Sequence, residues 1–134
     1  MIYLDTNVII SYVDELDANH SRAVKLLDSL KDDKVISKLT LVELASVYSR
    51  AGLEEPQALA VYSVCRSGAR VVEVDFNDVM TQAFKYAQAL GLRSLDLLHV
   101  IACKLAGAKR LATFDEDIRS RADEISGLGV EVIP

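Results

Sequence analysis

The sequence predicts a three-layer α/β sandwich built on a parallel sheet. Three observations carry that reading. Short apolar runs rich in Ile, Val and Leu alternate with longer stretches of helical period. Strands separated by helices pair in parallel through right-handed crossovers, which puts helices on both faces of the sheet. One segment, Leu95–Ala106, is apolar almost all round, as a helix buried on most sides must be.

The first strand is Ile2–Leu4, too short for a helix and followed directly by Asp5. A polar stretch carries His20, read as solvent-exposed; beyond it Ala23, Leu26, Leu27 and Leu30 recur at helical spacing. Val35–Ser37 is the second strand, and Thr40 suits the N-cap of a helix striped by Leu41, Leu44, Ala45 and Tyr48. Pro56 suits the first position of the next helix, whose stripe is Ala58, Val61, Tyr62 and Cys65. The third strand is Arg70–Val74. Asp75 then caps a helix striped by Met80, Ala83, Phe84 and Ala87, and Gly91 stops it. The apolar helix Leu95–Ala106 keeps only Asp96, His99 and Lys104 polar, and the strands Arg110–Thr113 and Val130–Ile133 complete the sheet. No repeat, low-complexity tract or linker divides residues 1–134, so the expectation is a single domain.

Composition sets the class. The 134 residues are 51% hydrophobic and 26% charged, which excludes a disordered chain. Twenty acids against fifteen Lys and Arg leave a net charge of −5. A protein held on nucleic acid mainly by its overall positive field is thereby excluded. No apolar run approaches the ~20 residues of a membrane span. The opening Met-Ile-Tyr-Leu-Asp sets a carboxylate where a signal peptide would turn apolar, and the two cysteines, Cys65 and Cys103, make no disulfide scaffold or zinc motif. Both read as packing residues on apolar stripes. The expected home is the cytoplasm.

Ligands of open α/β sheets bind beyond the carboxyl ends of the strands. Asp5, with Thr6 and Asn7, follows the first strand; Glu43 lies in the helix after the second; Asp96 opens the apolar helix; Asp115, Glu116 and Asp117 follow the fourth strand. With the first strand central, these acids share one rim. Carboxylates gathered in a crevice repel one another, and hard oxygen ligands suit Mg²⁺ or Mn²⁺ rather than zinc. Structural readings stand beside this one. Thr40 and Glu43 form a capping box, Asp96 favours a helix dipole, Asp115 caps a short last helix, and Asp75 and Asp78 are helix-start acids with no chemistry.

The order Leu4-Asp5-Thr6-Asn7, Thr40-Leu41-Val42-Glu43, Ser94-Leu95-Asp96-Leu97-Leu98-His99 and Leu111-Ala112-Thr113-Phe114-Asp115 resembles the PIN-domain family over nearly the whole chain. Its length is similar to that of the stand-alone toxin ribonucleases of VapBC toxin–antitoxin pairs. The resemblance implies strand order 3-2-1-4-5 and an Mg²⁺- or Mn²⁺-dependent ribonuclease. It carries metal-site roles onto Asp5, Glu43 and Asp96 and a supporting acid role onto Asp115, which matches the Thr-x-Asp position, with Asp117 as second choice. It also implies an RNA substrate, an antitoxin that crosses the active-site groove, and a homodimer. General RNA processing, or a catalytically idle PIN-fold interaction module, is the alternative.

Phosphodiester hydrolysis by metal-held water needs no protein nucleophile. Asp5 and Asp96 would be ligands and Glu43 either a ligand or the base that orients the water, with Thr6, Asn7 and Thr113 fixing the carboxylates. His99, three residues after Asp96, reads as a satisfied core histidine. Lys38 and Arg93 are the first candidates to hold RNA beside the crevice, ahead of Arg50, Arg119 and Arg121; Tyr12 and Tyr48 read as core or interface. A phosphoacceptor receiver domain would want a lysine after the fifth strand, and a haloacid-type phosphatase an Asp where Asn7 stands.

Overall fold

The computed structural model describes Met1–Pro134. In chain order the elements are β1 (Ile2–Leu4), α1 (Thr6–Val13), α2 (His20–Ser29), β2 (Lys34–Ile36), α3 (Lys38–Arg50), α4 (Pro56–Ser67), β3 (Arg70–Val71), α5 (Phe76–Leu90), α6 (Ser94–Leu105), β4 (Arg110–Ala112), α7 (Glu116–Arg119), α8 (Ala122–Ser126) and β5 (Glu131–Ile133). The five strands form one parallel sheet in the order β3-β2-β1-β4-β5. This is the expected order, with β1 at the centre. No helix is long and apolar enough to cross a membrane.

Strand alternation sends side chains to opposite faces, and the core accordingly divides in two. Tyr3, Val35 and Leu111 meet the inner faces of α5, α6, α7 and α8; Ile2, Leu4, Ile36 and Ala112 meet α1, α2, α3 and α4. β1 is fully buried, as a central parallel strand is. α6 buries Leu97, His99, Val100, Ile101, Ala102 and Cys103, in keeping with its nearly unbroken apolar sequence.

Several local expectations are corrected. β3 ends at Val71, not Val74: it is an edge strand, and Val72 and Val74 pack against the core beyond it. β2 begins one residue early and stops at Ile36, so that Ser37 rather than Thr40 takes the N-cap position of α3. The capping box of Thr40 and Glu43 therefore does not form. α4 turns Ala60, Ser63, Val64 and Ser67 inward and leaves Val61, Tyr62 and Cys65 exposed. Its small, hydroxylic face permits close approach to α3, where Tyr48 Oη and Ser63 Oγ stand 2.7 Å apart. α5 likewise buries Val79, Ala83 and Leu90 while Met80 and Phe84 face outward. His20 is half-buried, its Nδ1 2.9 Å from the Ser11 carbonyl oxygen. Pro56, Asp75 and Gly91 take their expected places: Pro56 opens α4, Asp75 accepts from the Asn77 and Asp78 N–H groups, and Gly91 ends α5 at φ 61°.

A candidate metal centre at the sheet rim

Adjacent strands β1 and β4 end side by side, with Leu4 paired to Ala112, so the residues that follow them meet. The Asp5 N–H still donates to the Ala112 carbonyl at 2.9 Å. The chain then turns into α1, with Asp5 as its N-cap. Asp5 Oδ1 accepts from the Thr6 N–H at 2.8 Å, and Oδ2 accepts from the Thr113 hydroxyl at 2.7 Å. Both oxygens are thus held, and each keeps a lone pair. Thr113 Oγ1 also accepts from the Asp115 N–H at 3.0 Å, and Asn7 Oδ1 accepts from the Phe114 N–H at 3.2 Å. These bonds clamp the loop after β4 to the start of α1. Asp115 Oδ1 caps α7 through the Asp117 and Ile118 N–H groups, which leaves Oδ2 free.

Two clusters result, each with its ligand-type atoms within 4.8 Å of one another: Asp5, Glu43 and His99 in one, Asp96, Asp115 and Asp117 in the other. The two are electrostatically coupled, since Asp5 and His99 of the first act on Asp96 of the second. Burial pushes Asp96 up to about 6, the negative charges of Asp115, Asp5 and Asp117 add to the rise, and His99 opposes it. Burial also raises Asp5, against the lowering effects of His99, the Thr113 bond and the Thr6 N–H; Glu43 raises it further. For Glu43, burial pushes upward, but His99 and Thr6 outweigh it and the carboxyl stays below its ordinary value. Asp96 lies in the first turn of α6, where its carboxylate also favours the helix dipole.

His99 is the main departure from expectation. It is buried to 1% exposure, but only half satisfied. Its Nδ1 lies 3.2 Å from Tyr3 Oη, which is itself 2.8 Å from Ser37 Oγ and 3.5 Å from Thr40 Oγ1. Its Nε2 has no hydrogen-bond partner and faces Glu43 Oε1 at 3.6 Å and Asp5 Oδ1 at 4.0 Å. Thr6 Oγ1 is the other buried polar atom without a hydrogen-bond partner. Burial pushes the Tyr3 hydroxyl up to about 12, against the hydrogen bonds to Ser37 and Thr40, so it remains a phenol. The signal for His99 was present in sequence: three residues after Asp96 on a helix is the same face.

The expected acids fall into two clusters, Asp5 and Glu43 with His99, and Asp96 and Asp115 with Asp117. Thr6, Asn7 and Thr113 stand behind. Of the basic residues, Arg93 reaches Asp117 at 3.8 Å with its side chain 86% exposed, whereas Lys38 pairs with Glu73 at 3.1 Å. Arg119 and Arg121 are occupied by Glu116 and Glu124. Arg50, Leu39, Val42, Val47 and Leu95 line a groove of about 260 Å³ beside Glu43. Tyr12 and Tyr48 pack against the core of the sheet's α1–α4 face. Asp75 and Asp78 lie at the start of α5 in neither acid cluster.

A family model described as the PIN domain matches residues 2–124. No curated protein matches the chain. Among solved structures it is similar to the Mycobacterium tuberculosis toxin VapC20, which cleaves the sarcin-ricin loop, at 21% identity over 90% of this chain and 94% of that one, with a TM-score of 0.72. It is similar to FitAcB of Neisseria gonorrhoeae at 22% identity over 100% and 97%, TM-score 0.67. VapBC-1 of nontypeable Haemophilus influenzae is similar at 20% identity over 98% of each chain, TM-score 0.67.

Proposed function

The chain belongs to the PIN-domain family, and on that premise we propose that residues 1–134 are a single-domain, Mg²⁺- or Mn²⁺-dependent endoribonuclease, the toxin of a toxin–antitoxin pair. The observation that carries the proposal is the gathering of acids in two clusters, Asp5 and Glu43 with His99 and Asp96 with Asp115 and Asp117, whose burial and charges together raise Asp96. Carboxylates held in mutual repulsion by hydrogen bonds and helix caps have a use if a cation neutralises them. The donor set is all hard oxygen along the open side, which fits Mg²⁺ or Mn²⁺. Asp5, Asp96 and Asp115 would hold the ion, with Asp117 next to them, and Glu43 would either join them or orient the attacking water. When bound, the ion supplies polarisation of the phosphate and a more acidic water.

The chain's own residues do the rest. Thr113 and the Thr6 N–H fix both oxygens of Asp5, so its direction is set before substrate arrives. Glu43, held in its ionised form, is the acceptor available for a water proton. Arg93 is exposed and tied to Asp117 by a 3.8 Å contact, so it can turn to a phosphate of the RNA. Arg50 lines the groove beside Glu43. The groove beside Glu43, apolar with one arginine, suits an antitoxin segment that covers the acids. The outward face at Val61 and Tyr62 of α4 suits a homodimer contact, as does that at Met80 and Phe84 of α5 on the other side of the sheet. Similarity to toxins and toxin–antitoxin structures supports the toxin over a general processing enzyme.

Purified protein and single-stranded RNA test the reading. Cleavage should require Mg²⁺ or Mn²⁺, cease with chelator, and be absent in folded Asp96→Asn. Induction in a bacterial host should arrest growth, and Asp96→Asn should not. Full cleavage in chelator, or by Asp96→Asn, would refute the assignment.

A further inference from the structure

We propose that His99 is a positioning residue for the reaction, holding Glu43 and Asp5 from behind through an Nε2–H, its ring anchored at Nδ1 by the buried chain Ser37–Tyr3–His99. The inference rests on the nuclease reading above and adds a residue to it. Three observations support it. First, Nε2 lies 3.6 Å from Glu43 Oε1 and 4.0 Å from Asp5 Oδ1, both carboxylate oxygens. Ionised carboxylates only accept, so a ring nitrogen aimed at them carries hydrogen. Second, in the neutral ring Nδ1 must then accept, and Tyr3 Oη stands 3.2 Å away to donate, with Ser37 Oγ 2.8 Å behind it to donate in turn. A charged ring, which the carboxylates Glu43, Asp5 and Asp96 favour, would instead donate from Nδ1 to Tyr3 Oη; in both states Nε2 carries hydrogen. Third, Nε2 has no solvent-exposed surface. A cation that retains waters needs the open side, where Asp96, Asp115 and Asp117 lie, so the ring sits behind the carboxylates rather than among the ligands.

The contacts to Nε2 lie just beyond hydrogen-bond range, and a few tenths of an ångström would bring Glu43 within it. Hydrogen bonds in catalytic sites are often long in the free protein and tighten in the working complex. An oriented donor behind a ligating carboxylate is worth about 10–100-fold in metal affinity or activity.

The experiment compares wild type with His99→Gln, His99→Phe and Tyr3→Phe. Glutamine can place an amide N–H near the Nε2 position; phenylalanine fills the slot without a donor; Tyr3→Phe keeps the ring and removes the group that anchors its Nδ1. Readouts are kcat and KM on single-stranded RNA, Mn²⁺ affinity by calorimetry without RNA, and two-bond ¹⁵N–¹H spectra of the ring with and without Mg²⁺. The expected result is an Nε2–H in both spectra. His99→Phe should lose about 100-fold in kcat and about tenfold in Mn²⁺ affinity with KM little changed, Tyr3→Phe should lose about tenfold in kcat, and His99→Gln should recover most of the loss. Loss of the Nε2 proton on adding Mg²⁺ would make His99 a ligand and overturn the proposal. So would variants that melt lower but keep the wild-type kcat. Wild type that neither binds Mn²⁺ nor cleaves RNA would instead refute the nuclease reading, while the spectra would still decide the tautomer. If His99→Phe does not fold, Tyr3→Phe and the spectra decide alone.

Discussion

Asp96→Asn should make the metal-free protein more stable at neutral pH, although it removes the residue proposed to hold the ion. In the folded chain Asp96 ionises at about 6, because it is half-buried and faces Asp115, Asp5 and Asp117. In the unfolded chain it ionises near the ordinary ~3.9. A folded pKa above the unfolded one means that the unfolded chain releases the proton first. Stability is therefore lost as pH rises, from nothing below about pH 4 to the full amount above about pH 6. Two pKa units correspond to about 3 kcal/mol, but half the group is solvated, and screening brings the cost to about 1–2 kcal/mol. Asparagine abolishes the charge and forfeits about 0.5 kcal/mol of favourable dipole interaction in the first turn of α6. The net gain is about 1 kcal/mol at pH 7.5, or roughly 3–5 °C in melting temperature.

The assay is thermal unfolding in chelator at pH 7.5 and pH 4.5 for both proteins. The mutant's advantage should be present at the higher pH and mostly gone at the lower. With Mg²⁺ at a hundredfold excess over its dissociation constant, wild type should gain about 2.7 kcal/mol and the mutant much less, so the order of stabilities reverses. A mutant that melts no higher than wild type in chelator at pH 7.5 would refute the reasoning. So would an advantage that persists undiminished at pH 4.5, since it would then owe nothing to the charge.

Thr113→Val removes the 2.7 Å bond to Asp5 Oδ2 and the acceptor for the Asp115 N–H, so it should cost about 1–3 kcal/mol by chemical denaturation and at least tenfold in RNA cleavage. Arg93→Ala should raise KM for RNA several-fold with kcat unchanged, and should lower the slope of log affinity against log salt by about one. Asp75→Ala separates capping from chemistry: it should cost about 1 kcal/mol of stability and leave kcat unaltered, because its carboxylate holds two N–H groups of α5 and stands outside both acid clusters.

The five strands and the helices α2 to α6 were legible because strand and helix periods differ and because Pro56, Asp75 and Gly91 act locally, whereas α1 and the short α8 went unread. The facing of two helices was not. The most apolar stripes of α4 and α5 point outward, at Val61 and Tyr62 and at Met80 and Phe84. Hydrophobic period reports that a face wants covering; it does not say whether the sheet or another molecule covers it. α4 shows the cause: its inward face is Ala60, Ser63, Val64 and Ser67, since close packing on α3 favours small residues and a hydroxyl for Tyr48 over bulk. The start of α3 was misplaced for a related reason. Thr40 looks like a cap in sequence, but its hydroxyl faces Tyr3 across the sheet, a neighbour 37 residues away.

The acids were legible as neighbours, and a capping role does not compete with the site role proposed for them. A carboxylate has two oxygens with two lone pairs each, so a cap occupies part of it and aims the remainder. Asp5 and Asp115 are both N-caps, and the backbone N–H groups that hold them fix where their free lone pairs point. Asp75 has the same cap geometry and has no such acids clustered with it. What separates a site from a cap is therefore the neighbours, and these come from strand order: β1 beside β4 sets Asp5 against Thr113, 108 residues apart in the chain. His99 is the limiting case. On α6 alone it is one more inward residue among apolar ones, and only the meeting of β1, α3 and α6 turns its Nε2 toward two carboxylates rather than toward a partner of its own.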